Sequence, residues 1–157
     1  MKGKEKIIEK LNFLLSDELT AINQYMVHSE MCDNWGYERL HKKIEERAIQ
    51  EMKHAEKLIA RILFLEGRPI VSNLNKINIG AEVPAQHQND WTAEDGAIKN
   101  YNEGIRLCLE LGDNGSRELM DSILKDEEEH ADWQESQLTL IEQIGYELYL
   151  SEQVDKE

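Results

Sequence analysis

The sequence predicts an all-α fold: a four-helix bundle with a long crossover between its second and third helices and a short fifth helix. Three observations predict it. Apolar residues recur every three to four positions over four long stretches. The 157 residues include only two prolines, Pro69 and Pro84, and the nine glycines sit mostly between the periodic stretches. Two of the gaps between stretches are short, whereas the middle one is long and has no helical period.

In the first stretch Leu11, Leu14, Glu18, Ile22 and Tyr25 share one face. The second runs from about Glu38 to Leu65, with Ile44, Glu51, Leu58 and Ile62 in its stripe. The third carries Trp91, Glu94, Ile98, Tyr101, Ile105 and Cys108; either Pro84 in a first turn or Thr92 as a cap suits its start. A fourth begins near Ser116 and passes through Met120, Ile123, Glu127, His130, Ile141 and Ile144. Helices of ~25 to 30 residues are ~40 to 45 Å long. Short links near Asp33–Tyr37 and Gly112–Gly115 make each pair antiparallel neighbours, giving helical hairpins at about 4–65 and 84–144. The crossover, 66–83, is long enough to run the length of the bundle, and a short helix is expected at 146–153. Two antiparallel pairs joined by one long crossover is the connectivity of ferritin-like bundles, here in a single domain spanning 1–157.

Acidic residues outnumber basic ones 32 to 18, for a net charge of −14. Nucleic acids and anionic membranes both require basic patches, so neither is an expected partner. No apolar run reaches the ~20 residues of a membrane span. The opening MKGKEKIIEK has charge but no apolar segment of a signal peptide. Cys32 and Cys108 form no CxxC motif and read as packing residues, which suits a reducing cytoplasm.

Charge interrupts the apolar stripes at particular places. Glu51 and His54 lie three apart on one helix face, and Glu127 and His130 repeat the spacing. Both copies continue alike, as EMKHAE and EEEHAD, at an offset of 76 residues. The same offset takes Glu18 to Glu94, Ile22 to Ile98 and Tyr25 to Tyr101. One Glu-x-x-His alone is weak, since most such pairs are solvated. Two copies with two further glutamates, all in core stripes, are a different matter. Four carboxylates and two imidazoles facing a core demand compensation, and two divalent cations supply it. Oxygen-rich ligation with one imidazole per metal suits iron or manganese. Two Glu plus two Glu-x-x-His is the di-iron pattern of ferritin-like bundles.

Over essentially its whole length the chain resembles the bacterioferritins. The likeness is carried by the opening MKG, by ELTAINQY at 18–25, by EMKHAEKLIARILFLEG at 51–67 and by DEEEHADW at 126–133. The resemblance implies a ferroxidase centre of Glu18, Glu51, His54, Glu94, Glu127 and His130, with Glu51 and Glu127 bridging two irons. It implies iron storage in a shell of 24 subunits built from dimers. Met52 is turned ~100° from Glu51 on its helix, beside a second apolar stripe of Ile49, Ile59 and Leu63. The first helix has its own second stripe of Leu15, Leu19, Ile22 and Met26. Such double-faced helices bury one face against another subunit. The resemblance makes Met52 an axial ligand of haem b, one per dimer, with contacts from Leu19, Ile22, Asn23, Met26 and Lys53. It also implies a small ferredoxin as electron donor.

The chain departs from the family pattern at Glu46 and Gln50, where many relatives place a His and an Asp, and at Glu45, which replaces an aromatic residue. Tyr25 and Trp133 match family aromatics near the irons. The remaining histidines, His28, His41 and His87, are expected at the surface, and Trp35 as a turn anchor. Two other readings stay open: a non-storage di-iron peroxidase or oxygenase of the same fold, and a non-catalytic metal-binding shell protein. Against the peroxidase reading stands the cysteine count, too small for the four-cysteine iron module of rubrerythrin-like enzymes.

Overall fold

A computed structural model describes residues 1–154. Its elements are α1 (Glu5–Asn34), α2 (Glu38–Phe64), α3 (Val83–Leu111), α4 (Asn114–Ile144) and α5 (Tyr146–Ser151). At ~1.5 Å per residue the four long helices span ~40 to 46 Å. α1 packs chiefly on α2 and α3 chiefly on α4, and the two hairpins meet through α1 with α3 and α2 with α4.

The turns follow from local chemistry. Gly36 closes the α1–α2 link at φ 87°, where a side chain would be strained. Tyr37 N–H then returns to Cys32 O at 2.9 Å. Between α3 and α4 the Asp113 side chain caps Ser116 N–H and also accepts from Ser116 Oγ and Arg61 Nη2. The third helix starts at Val83 with Pro84 in its first turn, which decides between the two expected starts. Thr92 lies inside that helix, its hydroxyl donating to Gln88 O at 3.0 Å.

α1 holds the crossover. Asn12, Thr20, Gln24 and His28 lie on one helix face at spacings of eight, four and four, and each accepts a crossover N–H: from Ile70, Asn75, Asn78 and Gly80, at 2.9 to 3.0 Å. Four backbone donors of a segment without helix or strand are thereby satisfied. It lies along α1, as its length predicts.

Two apolar layers fill the bundle. Ile7, Leu11, Leu14, Leu58, Ile62, Tyr101, Met120 and Ile123 belong to one. Ala21, Tyr25, Cys32, Leu40, Ile44, Val83 and Tyr149 belong to the other. Leu15 is fully buried in the first layer, which removes it from the expected outer stripe. Its neighbours Leu19 and Ile22 are half-buried, and Met26, Ile49, Met52 and Leu63 are exposed. Both cysteines are buried and unpaired. No helix among the described residues is long and apolar enough to cross a membrane.

Candidate metal centre

Glu18 on α1, Glu51 and His54 on α2, Glu94 on α3, and Glu127 and His130 on α4 all project inward, each at most 3 % exposed. Their ligand atoms form two groups that share Glu51 and Glu127. One adds Glu18 and His54, the other Glu94 and His130, and within each group the atoms lie within 4.8 Å of one another. His54 Nδ1 is 3.1 Å from Glu127, 3.5 Å from Glu18 and 3.7 Å from Glu51. His130 Nδ1 is 3.0 Å from Glu51, 3.4 Å from Glu94 and 3.9 Å from Glu127. The two sets correspond one to one under the 76-residue offset, so the sequence repeat is also a metric repeat.

The donor set fits a pair of cations. Among the described residues, eight buried side-chain atoms lack a hydrogen-bond partner. Six belong to these six residues: one carboxylate oxygen from each Glu and Nδ1 from each His. Buried polar atoms are normally paired, so six orphans converging on one place point to a missing electrophile. Four carboxylates, two of them shared between the groups, with one imidazole in each group make a hard, oxygen-rich donor set.

Electrostatics agree. Burial, and then the neighbouring Glu18, push the Glu51 carboxyl well above its usual range. Glu127 is likewise pushed well up, first by burial and then by Glu51 and Glu94. Burial also works against Glu94, but the close approach of Glu127 and His130 outweighs it and holds Glu94 low. His54 is opposed by burial yet raised to about 11 by its contacts with Glu127 and Glu18. Without metal, protons take the place of the cations.

Partners behind the ligands hold them. Tyr25 donates to Glu94 and Tyr101 donates to Glu18, the latter at 2.6 Å. Nε2 of His54 meets Asp126 at 2.8 Å, and Nε2 of His130 meets Gln50 at 2.6 Å. Each Nδ1 is thereby left to face the metal position. A polar cleft of about 190 Å³ leads to Glu18, Glu51 and Glu127 from the crossover side. Asp17 lies on it, held by Asn75 and Asn100 at 2.7 Å each. Burial pushes the Asp17 carboxyl up, against those two hydrogen bonds.

A model of the ferritin-like domain matches residues 8–144. A bacterioferritin of Brucella melitensis is 45 % identical over 149 residues, covering 95 % of this chain and 92 % of its own length. One from Rhodobacter capsulatus is 43 % identical, covering 92 % and 90 %. A bacterial ferritin of Synechocystis is 43 % identical over 98 % of this chain and 99 % of its own. The chain belongs to the bacterioferritin family.

For a bacterioferritin, the outer face of α1 and α2 also matters. Met52 is 47 % exposed and Met26 49 %, with Ile49 and Leu63 also exposed. A thioether standing open on an apolar face is a soft donor. Lys53 is exposed beside it, whereas Asn23 is half-buried and donates to Leu19 O at 3.0 Å.

Three histidines were expected at the surface, and two are fully buried instead. His28 bridges Asp90, at 2.9 Å, and Gly80 N–H, at 3.0 Å. His87 is tied to Gln134 at 2.7 Å and Tyr149 at 2.9 Å, and burial lowers it to about 4. His41 is half-buried against Ser29. Trp35 keeps its turn position, 6.1 Å from Tyr37 between ring centroids. Trp133 packs edge-on to His87 at 5.6 Å, with Arg47 over its ring.

Proposed function

We propose that the chain stores iron and oxidises it, with Glu18, Glu51, His54, Glu94, Glu127 and His130 as a ferroxidase centre. The observation that carries this reading is the convergence of six buried, partnerless nitrogen and oxygen atoms from four helices. Ferrous iron is the substrate. Two Fe²⁺ reach the centre through the polar cleft; Glu51 and Glu127 bridge them, Glu18 with His54 holds one, and Glu94 with His130 the other. Each ion gives up one electron. The pair of electrons takes O₂ to peroxide, or peroxide to water, with protons balancing the charge. Four carboxylates attract Fe³⁺ more strongly than Fe²⁺, which favours the oxidised pair. Ferric iron then passes to a mineral inside a homo-oligomeric shell of 24 subunits built from dimers.

Met52, with Leu19, Ile22, Asn23, Met26 and Lys53, would hold haem b, one per dimer, which would supply an electron route for iron release. A small ferredoxin is the class of donor that the family resemblance implies, and a reducing cytoplasm suits the two unpaired cysteines.

Stopped-flow Fe²⁺ oxidation and light scattering test the reading together. Wild type should oxidise two Fe²⁺ per chain rapidly and scatter as about 24 copies of the 18.3 kDa chain. Glu127→Gln keeps the side-chain size, removes the bridging charge and should abolish the rapid phase. Oxidation at the wild-type rate in that variant sinks the centre, and a stable monomer under mild conditions sinks storage.

A further inference from the structure

Facing inward, the two halves of the centre are near copies. Behind the histidines the repeat fails. Positions 50 and 126 are related by the offset, and each reaches across to the histidine of the other half. His54 Nε2 donates to a carboxylate, Asp126 Oδ2, at 2.8 Å. His130 Nε2 donates to a neutral carboxamide, Gln50 Oε1, at 2.6 Å. A carboxylate behind an imidazole increases the electron density at the opposite nitrogen and strengthens it as a ligand.

A second break lies at positions 47 and 123. Arg47 is 8 % exposed, and its Nη1 is buried without a hydrogen-bond partner. Its guanidinium sits 5.3 Å from the Trp133 ring on α4, and Glu94 is the carboxylate that acts on it most strongly. The counterpart, Ile123, is core hydrocarbon. A fixed positive charge therefore opposes a cation at the Glu94 end, whereas the matching position at the Glu18 end is the uncharged Ile123. The two breaks act in the same direction.

We infer that the halves take up divalent iron unequally: Glu18 and His54, backed by Asp126, hold one ion tightly, while Glu94 and His130, backed by Gln50 and faced by Arg47, hold the exchangeable one. This rests on reading the six residues as an iron centre. Gln50, Asp126 and Arg47 are positioning residues that set the difference without touching the metal.

Cobalt(II) tests the inference without turnover. Anaerobic titration of the metal-free shell, followed by visible absorption, should show two Co²⁺ per chain in two steps about tenfold or more apart. In crystals given one equivalent, anomalous scattering should place most of the cobalt beside His54. Gln50→Glu, of equal length, should tighten the weaker step about tenfold and merge the two. Asp126→Asn should weaken the stronger step by a similar factor. Equal steps in wild type, cobalt divided evenly at one equivalent, or a Gln50→Glu titration identical to wild type would each overturn it. The iron-centre reading fails differently: wild type would not bind two Co²⁺ per chain, or Glu51→Gln would bind both undiminished.

Discussion

Tyr101 donates its hydroxyl to Glu18 at 2.6 Å, from α3 across the bundle to α1. Tyr25 makes the counterpart bond to Glu94, from α1 to α3. Each hairpin thus orients the terminal carboxylate of the other, so neither half of the centre is complete without its partner. Burial and the surrounding carboxylates push both phenols well above their usual range, first through desolvation and then through Glu94 and Glu18 respectively. They therefore stay protonated and remain donors.

Tyr101→Phe tests this coupling. The change keeps the ring volume and leaves Glu18 Oε1 without its donor, at a general cost of about 1–3 kcal/mol for a buried acceptor. Loss of an outer partner should weaken cobalt binding at the Glu18–His54 half about tenfold, with the helical fold intact. Titration at wild-type strength would show that packing alone orients Glu18.

Much of this was legible because the chain repeats itself. The period of 3.6 marks the four helices, and the offset of 76 singles out the six inward candidate residues from a sequence with 32 acidic residues. His28 and His87 were misread because their partners, Asp90 and Tyr149, each lie 62 residues away. A signal existed: Leu14, Glu18, Ala21, Tyr25, His28 and Cys32 step by four and three along one buried face. Val83, His87, Asp90, Glu94, Ala97 and Tyr101 do the same. Polarity alone suggested the surface, and periodicity overrides it. The roles of Gln50, Asp126 and Arg47 were not legible, since they depend on which helix each side chain crosses to.

The protons that replace the cations set a pH dependence. Glu51 and Glu127 are raised above their ordinary range by burial first. The folded chain therefore binds more protons than the unfolded one as pH climbs above that range. Stability from these groups is present at low pH and lost as pH rises. Metal-free Glu127→Gln lacks one such group. Its melting temperature should exceed that of metal-free wild type by a margin that widens from pH 5 to pH 8, as calorimetry would read it. A margin that is constant or shrinks would mean that Glu127 ionises freely in the empty site.

Loading has the same origin. Divalent cations must displace these protons and the one held by His54, raised to about 11 chiefly by Glu127 and Glu18 against the pull of burial. Cobalt binding should release protons and tighten as pH rises from 6 to 8. A pH-stat that records no proton release on loading would contradict the assignment.

Met52→Leu separates the outer face from the inner centre. Met52 follows Glu51 in sequence, yet Glu51 is 1 % exposed and Met52 is 47 % exposed, so helical geometry turns them to different surfaces. Leucine keeps the apolar volume and removes the sulfur. If two Met52 side chains flank one haem, the variant shell should lose the low-spin haem absorption band, because the thioether proposed to hold the iron is removed from both sides at once. Initial Fe²⁺ oxidation should stay at the wild-type rate, since Glu51 and His54 are untouched. Release of stored iron to an external reductant should slow. A normal low-spin spectrum in Met52→Leu would reduce Met52 to interface packing, whereas loss of both haem and oxidation would mean that α2 itself had shifted.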